Sequence, residues 1–180
     1  ATKAGWTFIG WNTDEHATTG LTSVTVNANT SLYAIFKKEA ITLTAKWNGN
    51  GSTLSSTSNT TCTLSAVYNN ATQATSCTVT APSVTPSANT PDFVGFNTSA
   101  SSTTNNSSYS ESTNKVTLTS SNNNSTWYAI TKKDAVVRTI TFYRNGNDSF
   151  TYNGTTYENT SKTFDGCTIP ASYNGSSQAA

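Results

Sequence analysis

The side chains able to do chemistry here are few: three cysteines, one histidine and nine carboxylates in 180 residues. Nucleophilic catalysis by serine or cysteine needs a base to take the proton, and the sole histidine is His16. It lies in the polar run Asp14-Glu15-His16-Ala17, where a solvated loop side chain is the ordinary outcome. The carboxylates are scattered, with no pair spaced to flank a substrate. Three cysteines and one histidine at these separations fit no zinc spacing. We therefore expect no catalytic residues, no metal site and no cofactor.

The cysteines make better sense as a staple. Cys62 and Cys77 lie 77 − 62 = 15 residues apart, and a bridge closing that loop removes about 3 kcal/mol of unfolded-state entropy. The alternative is three buried free thiols. Cys167 belongs to a second copy of the same local sequence. Cys62-Thr63-Leu64-Ser65-Ala66-Val67-Tyr68-Asn69, with Gln73-Ala74 behind it, returns as Cys167-Thr168-Ile169-Pro170-Ala171-Ser172-Tyr173-Asn174, with Gln178-Ala179. The equivalent of Cys77 would fall just past Ala180, so Cys167 is expected to be unpaired by truncation.

Two further segments recur. Phe8-Ile9-Gly10-Trp11-Asn12-Thr13 returns as Phe93-Val94-Gly95-Phe96-Asn97-Thr98, and Tyr33-Ala34-Ile35-Phe36-Lys37-Lys38-Glu39-Ala40 as Tyr128-Ala129-Ile130-Thr131-Lys132-Lys133-Asp134-Ala135. Connecting loops vary in length between the copies, as they do when one unit is multiplied. The motif order places a complete unit at 40–134, the back half of a preceding unit at 1–39 and the front half of a following one at 135–180. With no Met in the chain, a window on something longer is expected.

Composition excludes some partners. Charged residues are 11% of the chain and the net charge is +1, against about 25% charged in typical soluble domains. No basic patch can hold a nucleic acid, and no polybasic run an anionic membrane. No apolar run approaches the roughly 20 residues that cross a bilayer. Solubility falls to the Ser, Thr and Asn crowding 52–61, 97–114 and 119–126, a surface more usual outside the cell. Seven Phe, eight Tyr and four Trp supply the area for small cores.

The elements that carry these residues read as strands. The segment 41–47 alternates apolar and polar residues and ends at Asn48-Gly49, a turn dipeptide; 139–144 ends likewise at Asn145-Gly146. Further strands are expected at 24–26, 32–36, 77–80, 93–96, 116–118 and 127–130, rich in β-branched and aromatic residues. Only 66–74 could make a helical turn or two, and Asn69-Asn70 weakens it. The chain is expected to be mainly β.

The motif Gly5-Trp6-Thr7-Phe8-Ile9-Gly10-Trp11-Asn12-Thr13, followed by Leu32-Tyr33-Ala34-Ile35-Phe36, resembles the Listeria–Bacteroides repeat, known from the B-repeats of listerial internalins. The resemblance extends over 91–131, with Phe96 at the motif Trp and Trp127 at the motif Leu. It implies tandem β-grasp-like repeat units, about one complete and two half, on a bacterial cell-surface or secreted protein, and no catalytic residues. In such a unit the first and last strands meet centrally, so 41–47 and 127–130 should share a sheet.

Trp6, Trp11, Tyr33, Trp47 and Trp127 could stack on a sugar, although most should be core; in a regular strand Trp11 faces away from Phe8. Tyr109, Tyr152 and Tyr157, in polar surroundings, are the candidate exposed contact aromatics. Lys46 or Lys115 could enter an isopeptide bond if held beside a buried carboxylate. Sequons are plentiful, among them those beginning at Asn29, Asn59, Asn70, Asn124 and Asn153. The leading functional expectation is an extracellular stalk or filament whose partners are adjacent repeats or subunits, head to tail. The alternative is an adhesive module binding a host or cell-wall glycan through loop aromatics. Val136 and the residues after it should pair with an adjacent unit and not with this chain's own 1–39.

Overall fold

The computed structural model describes residues 1–143, 146, 149–158 and 161–180; the expected Asn145-Gly146 turn falls partly outside them. The described residues form strands, turns and loops, with no helix. The segment 66–74 makes the short strand Val67–Tyr68 and a turn, because Asn69 and Asn70 both take positive φ and end any helical course.

In the N-terminal part, strand Thr7–Asn12 pairs antiparallel with Tyr33–Lys38. The register slips between Phe8 and Gly10, leaving Ile9 as an extra residue, and Gly10 has φ 141°. This bulge corrects the expected facing: Trp11 lies on the same side as Phe8, with ring centroids 5.7 Å apart. The expected strand at 24–26 does not form. Its counterpart, Lys115–Thr119, is paired along its length by Ser76–Thr80, whereas among the described residues no strand pairs with 24–26.

The central part contains the main core. Strand Ile41–Asn48 pairs antiparallel with Thr60–Leu64 and parallel with Thr126–Lys133, Trp127 opposite Trp47. The expectation that 41–47 and 127–130 share a sheet is met. Asp92–Asn97 covers the other edge of Thr126–Lys133 in the register seen for the N-terminal pair: Phe96 opposes Ala129 as Trp11 opposes Ala34, and a bulge again precedes the glycine, Gly95. Leu43, Trp47, Phe96, Val116, Leu118 and Trp127 fill the interior. Trp47 and Tyr109 meet Phe96 edge to face, at 5.2 and 5.5 Å. Such pairs contribute about 0.5–1.5 kcal/mol beyond the area they bury.

Cys62 and Cys77 form a disulfide. Cys62 opposes Leu43 and Cys77 opposes Leu118, so the bond ties the sheet of Ile41–Asn48 to the sheet of Lys115–Thr119 across the core. The C-terminal part pairs Val136–Tyr143 with Ser161–Ile169 and adds the hairpin Phe150–Tyr152 with Thr155–Tyr157.

Candidate functional site

Among the described residues one polar arrangement is made twice, where the recurring Cys-to-Gln motif meets the strand before it. Val67–Tyr68 extends the sheet edge of Tyr33–Lys38, Tyr68 opposite Lys37. Ser172–Tyr173 does the same to Thr126–Lys133, Tyr173 opposite Lys132. The chain then turns at an asparagine, Asn69 with φ 48° or Asn174 with φ 56°. Asparagine tolerates this left-handed conformation better than other non-glycine residues.

Each asparagine grips the preceding part with its whole polar inventory. Asn69 Nδ2 donates to the carbonyls of Glu15 (2.9 Å) and Ala17 (2.8 Å), and its Oδ1 accepts from Phe36 N–H (3.1 Å). Its own N–H donates to Phe36 C=O at 3.0 Å. Asn174 repeats the pattern, donating to Ala100 (3.1 Å) and Ser102 (3.0 Å), accepting from Thr131 N–H (3.3 Å) and donating N–H to Thr131 C=O (2.9 Å). Only an amide offers two donors and an acceptor in this space; a carboxylate would face two carbonyl oxygens with nothing to donate.

Four residues on, a glutamine closes the arrangement. Gln73 Nε2 bridges the carbonyls of Glu39 (2.7 Å) and Ser65 (3.0 Å), and Gln178 Nε2 bridges those of Asp134 (2.8 Å) and Pro170 (2.9 Å). Gln73 is buried, so its satisfied amide is expensive to lose. Ion pairs accompany both copies, Lys37–Glu39 and Lys132–Asp134, each at 2.7 Å. The hydrogen bond that each lysine donates to its carboxylate partner raises the lysine above its usual pKa. Exposed pairs of this kind contribute about 0–1 kcal/mol. The second copy also carries a buried hydroxyl pair, Thr90 with Thr131 at 2.8 Å, and Thr90 accepts from Gly175 N–H at 3.0 Å.

Sequence reasoning singled out this motif as a repeat marker but missed Asn69, Gln73, Asn174 and Gln178 as the residues that join the parts. The recurrence of the Asn and Gln at matching spacing was the available signal.

Among the candidate contact aromatics, the reading of Tyr109 as exposed is corrected. Tyr109 is buried, 8% exposed, in a short strand where its hydroxyl donates to Asn114 Oδ1 at 3.0 Å. Burial, with Glu111 nearby, pushes its phenol pKa up. Tyr152 and Tyr157 lie in the C-terminal hairpin, half-buried, with rings 4.3 and 5.2 Å from Phe164. Of the tryptophans, Trp47 and Trp127 are core while Trp11 is open. Lys46 and Lys115 are exposed, so neither has the buried setting an isopeptide bond requires. His16 is exposed beside the Glu15 carboxylate at 3.5 Å. Cys167 is a free, exposed thiol, and the sequon asparagines Asn29, Asn59, Asn70, Asn124 and Asn153 are exposed. Among the described residues no three His, Cys, Asp or Glu side chains gather as a metal site, and no helix is long and apolar enough to cross a membrane. In comparisons with family models, curated proteins and solved structures, nothing matches the chain.

Proposed function

We propose that this chain is a non-catalytic structural repeat of a bacterial surface or secreted protein, built of β-grasp-like units and serving as an elongated extracellular stalk or filament. The observation that carries the reading is the clasp made twice with the same atoms, by Asn69 on Phe36 and by Asn174 on Thr131. A joint that recurs with fixed hydrogen bonding sets a fixed angle between successive units, and that is what a rod requires. The low charge, the hydroxyl- and amide-rich surface and the resemblance to the Listeria–Bacteroides repeat support the extracellular setting. Small-angle X-ray scattering of the monomeric chain tests the reading. A compact 180-residue protein has a radius of gyration of about 16 Å. A rod gives a clearly larger value that does not change with salt, and a compact value rejects it.

A second reading, glycan adhesion, draws on Trp11 and Tyr33, which are 46% and 42% exposed. Binding on a glycan array that is lost in Trp11→Ala would favour it over the stalk.

A further inference from the structure

We propose that copies of this chain mate head to tail, with strand Val136–Tyr143 of one copy completing the open sheet edge beside Tyr33–Lys38 of the next. The proposal rests on the structural-repeat reading above and names the partner of its two open faces as a second copy. The central part shows the geometry of such a union within one chain. There Thr126, Trp127 and Tyr128 pair parallel with Lys46, Trp47 and Asn48. The recurrences equate Trp127 with Leu32 and Tyr128 with Tyr33. Counted along Val136–Tyr143 from the pair Arg138 with Cys167, the counterpart of Leu43 with Cys62, Trp47 corresponds to Phe142 and Asn48 to Tyr143. The partner strand shifts register between Arg138 and Thr139, and the Asn-Gly dipeptide recurs two residues beyond that correspondence. The mated register therefore sets Leu32 against Phe142 and Tyr33 against Tyr143.

Exposure supports both halves of the joint. Phe96 and Trp127 are each 0% exposed, whereas their counterparts Trp11 and Leu32 are 46% and 43% exposed. Ala45 and Trp47 are 0% and 6% exposed, whereas Ile140 and Phe142 are 51% and 37% exposed. The edge of Tyr33–Lys38 that Val67–Tyr68 occupies at Lys37 and Lys38 has no described partner at Tyr33. Val136–Tyr143 pairs only with Ser161–Ile169 among the described residues, whereas Ile41–Asn48 is paired on both edges. Exposed apolar strand edges template further pairing.

A cavity of about 370 Å³ marks the same place independently, lined by Lys3, Tyr33, Ala34, Phe36, Asn69 and Asn70. At the matching position of the central part, Gly51 packs so closely on Asn174 and Gly175 that an added Cβ would come within 3.1 Å of the Asn174 carbonyl oxygen. The cavity thus lies where the complete unit places the turn that follows its first strand. The two faces differ, so the contact is heterologous, and repetition gives a filament where the rotation between copies does not close into a ring.

The test uses the full chain carrying Cys167→Ser, with Tyr33→Cys in one preparation and Tyr143→Cys in another. Mixed under mild oxidation, the two should give the mixed dimer at least about tenfold in excess of either like dimer, since a disulfide needs Cα atoms within about 7 Å. Sedimentation velocity of the wild-type chain should show oligomers growing with concentration. Leu32→Asp and Ile140→Asp, both at exposed positions, should each weaken association at least about tenfold, a charge in the joint being unpaired. Near-ultraviolet circular dichroism checks that these variants fold. Like dimers equal to mixed dimers, association unchanged by both Asp variants, or a monomer at every concentration would overturn the proposal. A monomer would leave the rod reading standing, because scattering from the single chain decides that separately.

Discussion

Asn69 holds Phe36 at both ends of its peptide groups: the side-chain Oδ1 accepts from Phe36 N–H at 3.1 Å while the Asn69 N–H donates to Phe36 C=O at 3.0 Å. The same amide reaches across to Glu15 and Ala17. One residue thereby fastens a loop and a strand of the N-terminal part to the start of the central one. Asn174 does the same to Thr131, so the joint recurs with the sequence motif that carries it.

Asn69→Asp should loosen that joint without disturbing the core. The variant keeps size and turn preference but loses both donors and sets a carboxylate against two carbonyls, a cost of about 1–3 kcal/mol. Hydrogen exchange should accelerate for amides in 7–38 while amides of Ile41–Asn48 keep their protection. Equal protection in both regions would show that the clasp contributes nothing.

Gly95→Ala should destabilise the central part. Gly95 has φ 151°, and an added Cβ would lie 2.0 Å from Asn105 Oδ1 and 2.7 Å from the Tyr109 ring. Overpacking costs about 1–3 kcal/mol. Urea denaturation followed by tryptophan fluorescence reads the loss, and an unchanged midpoint contradicts the packing described.

Much of the fold was legible because β-branched and aromatic alternation survives in 41–48 and 126–133, and both are strands. What was not legible depended on partners far away in sequence. The residues 24–26 have the composition of a strand, but among the described residues no strand pairs with them. Trp11 faces Phe8 because one bulge at Ile9 shifts the alternation, and a bulge leaves no signature beyond Gly10. Tyr109 sits among serines and asparagines, and only the approach of Phe96 shows it to be core. Asn69 looks like an ordinary turn residue until Glu15, Ala17 and Phe36 are brought to it.

Removing the bridge by Cys62→Ser with Cys77→Ser should cost about 3 kcal/mol by the loop-closure account. The loss should fall on the central part, where the bond joins two sheets, and appear as a lower urea midpoint. An unchanged midpoint in the double variant would mean that the core alone ties the sheets.

Stability should fall at alkaline pH. Tyr109, Lys37 and Lys132 all have pKa values raised above 10.0, 10.5 and 10.5. Groups that hold their proton more tightly when folded contribute fully below those ordinary values, and the contribution is lost as pH rises through the raised ones. The urea midpoint should decline above about pH 10, and Tyr109→Phe should reduce that decline. A decline unaffected by the substitution would assign it to other groups.

The most direct test of the central claim, that the clasps fix successive parts at set angles, is the measurement of backbone residual dipolar couplings on the monomeric chain. We expect one alignment tensor to fit couplings from 7–38, 41–133 and 161–173 together, and Asn69→Asp to detach the first group from it. Three tensors of differing magnitude in the wild-type chain would contradict the account.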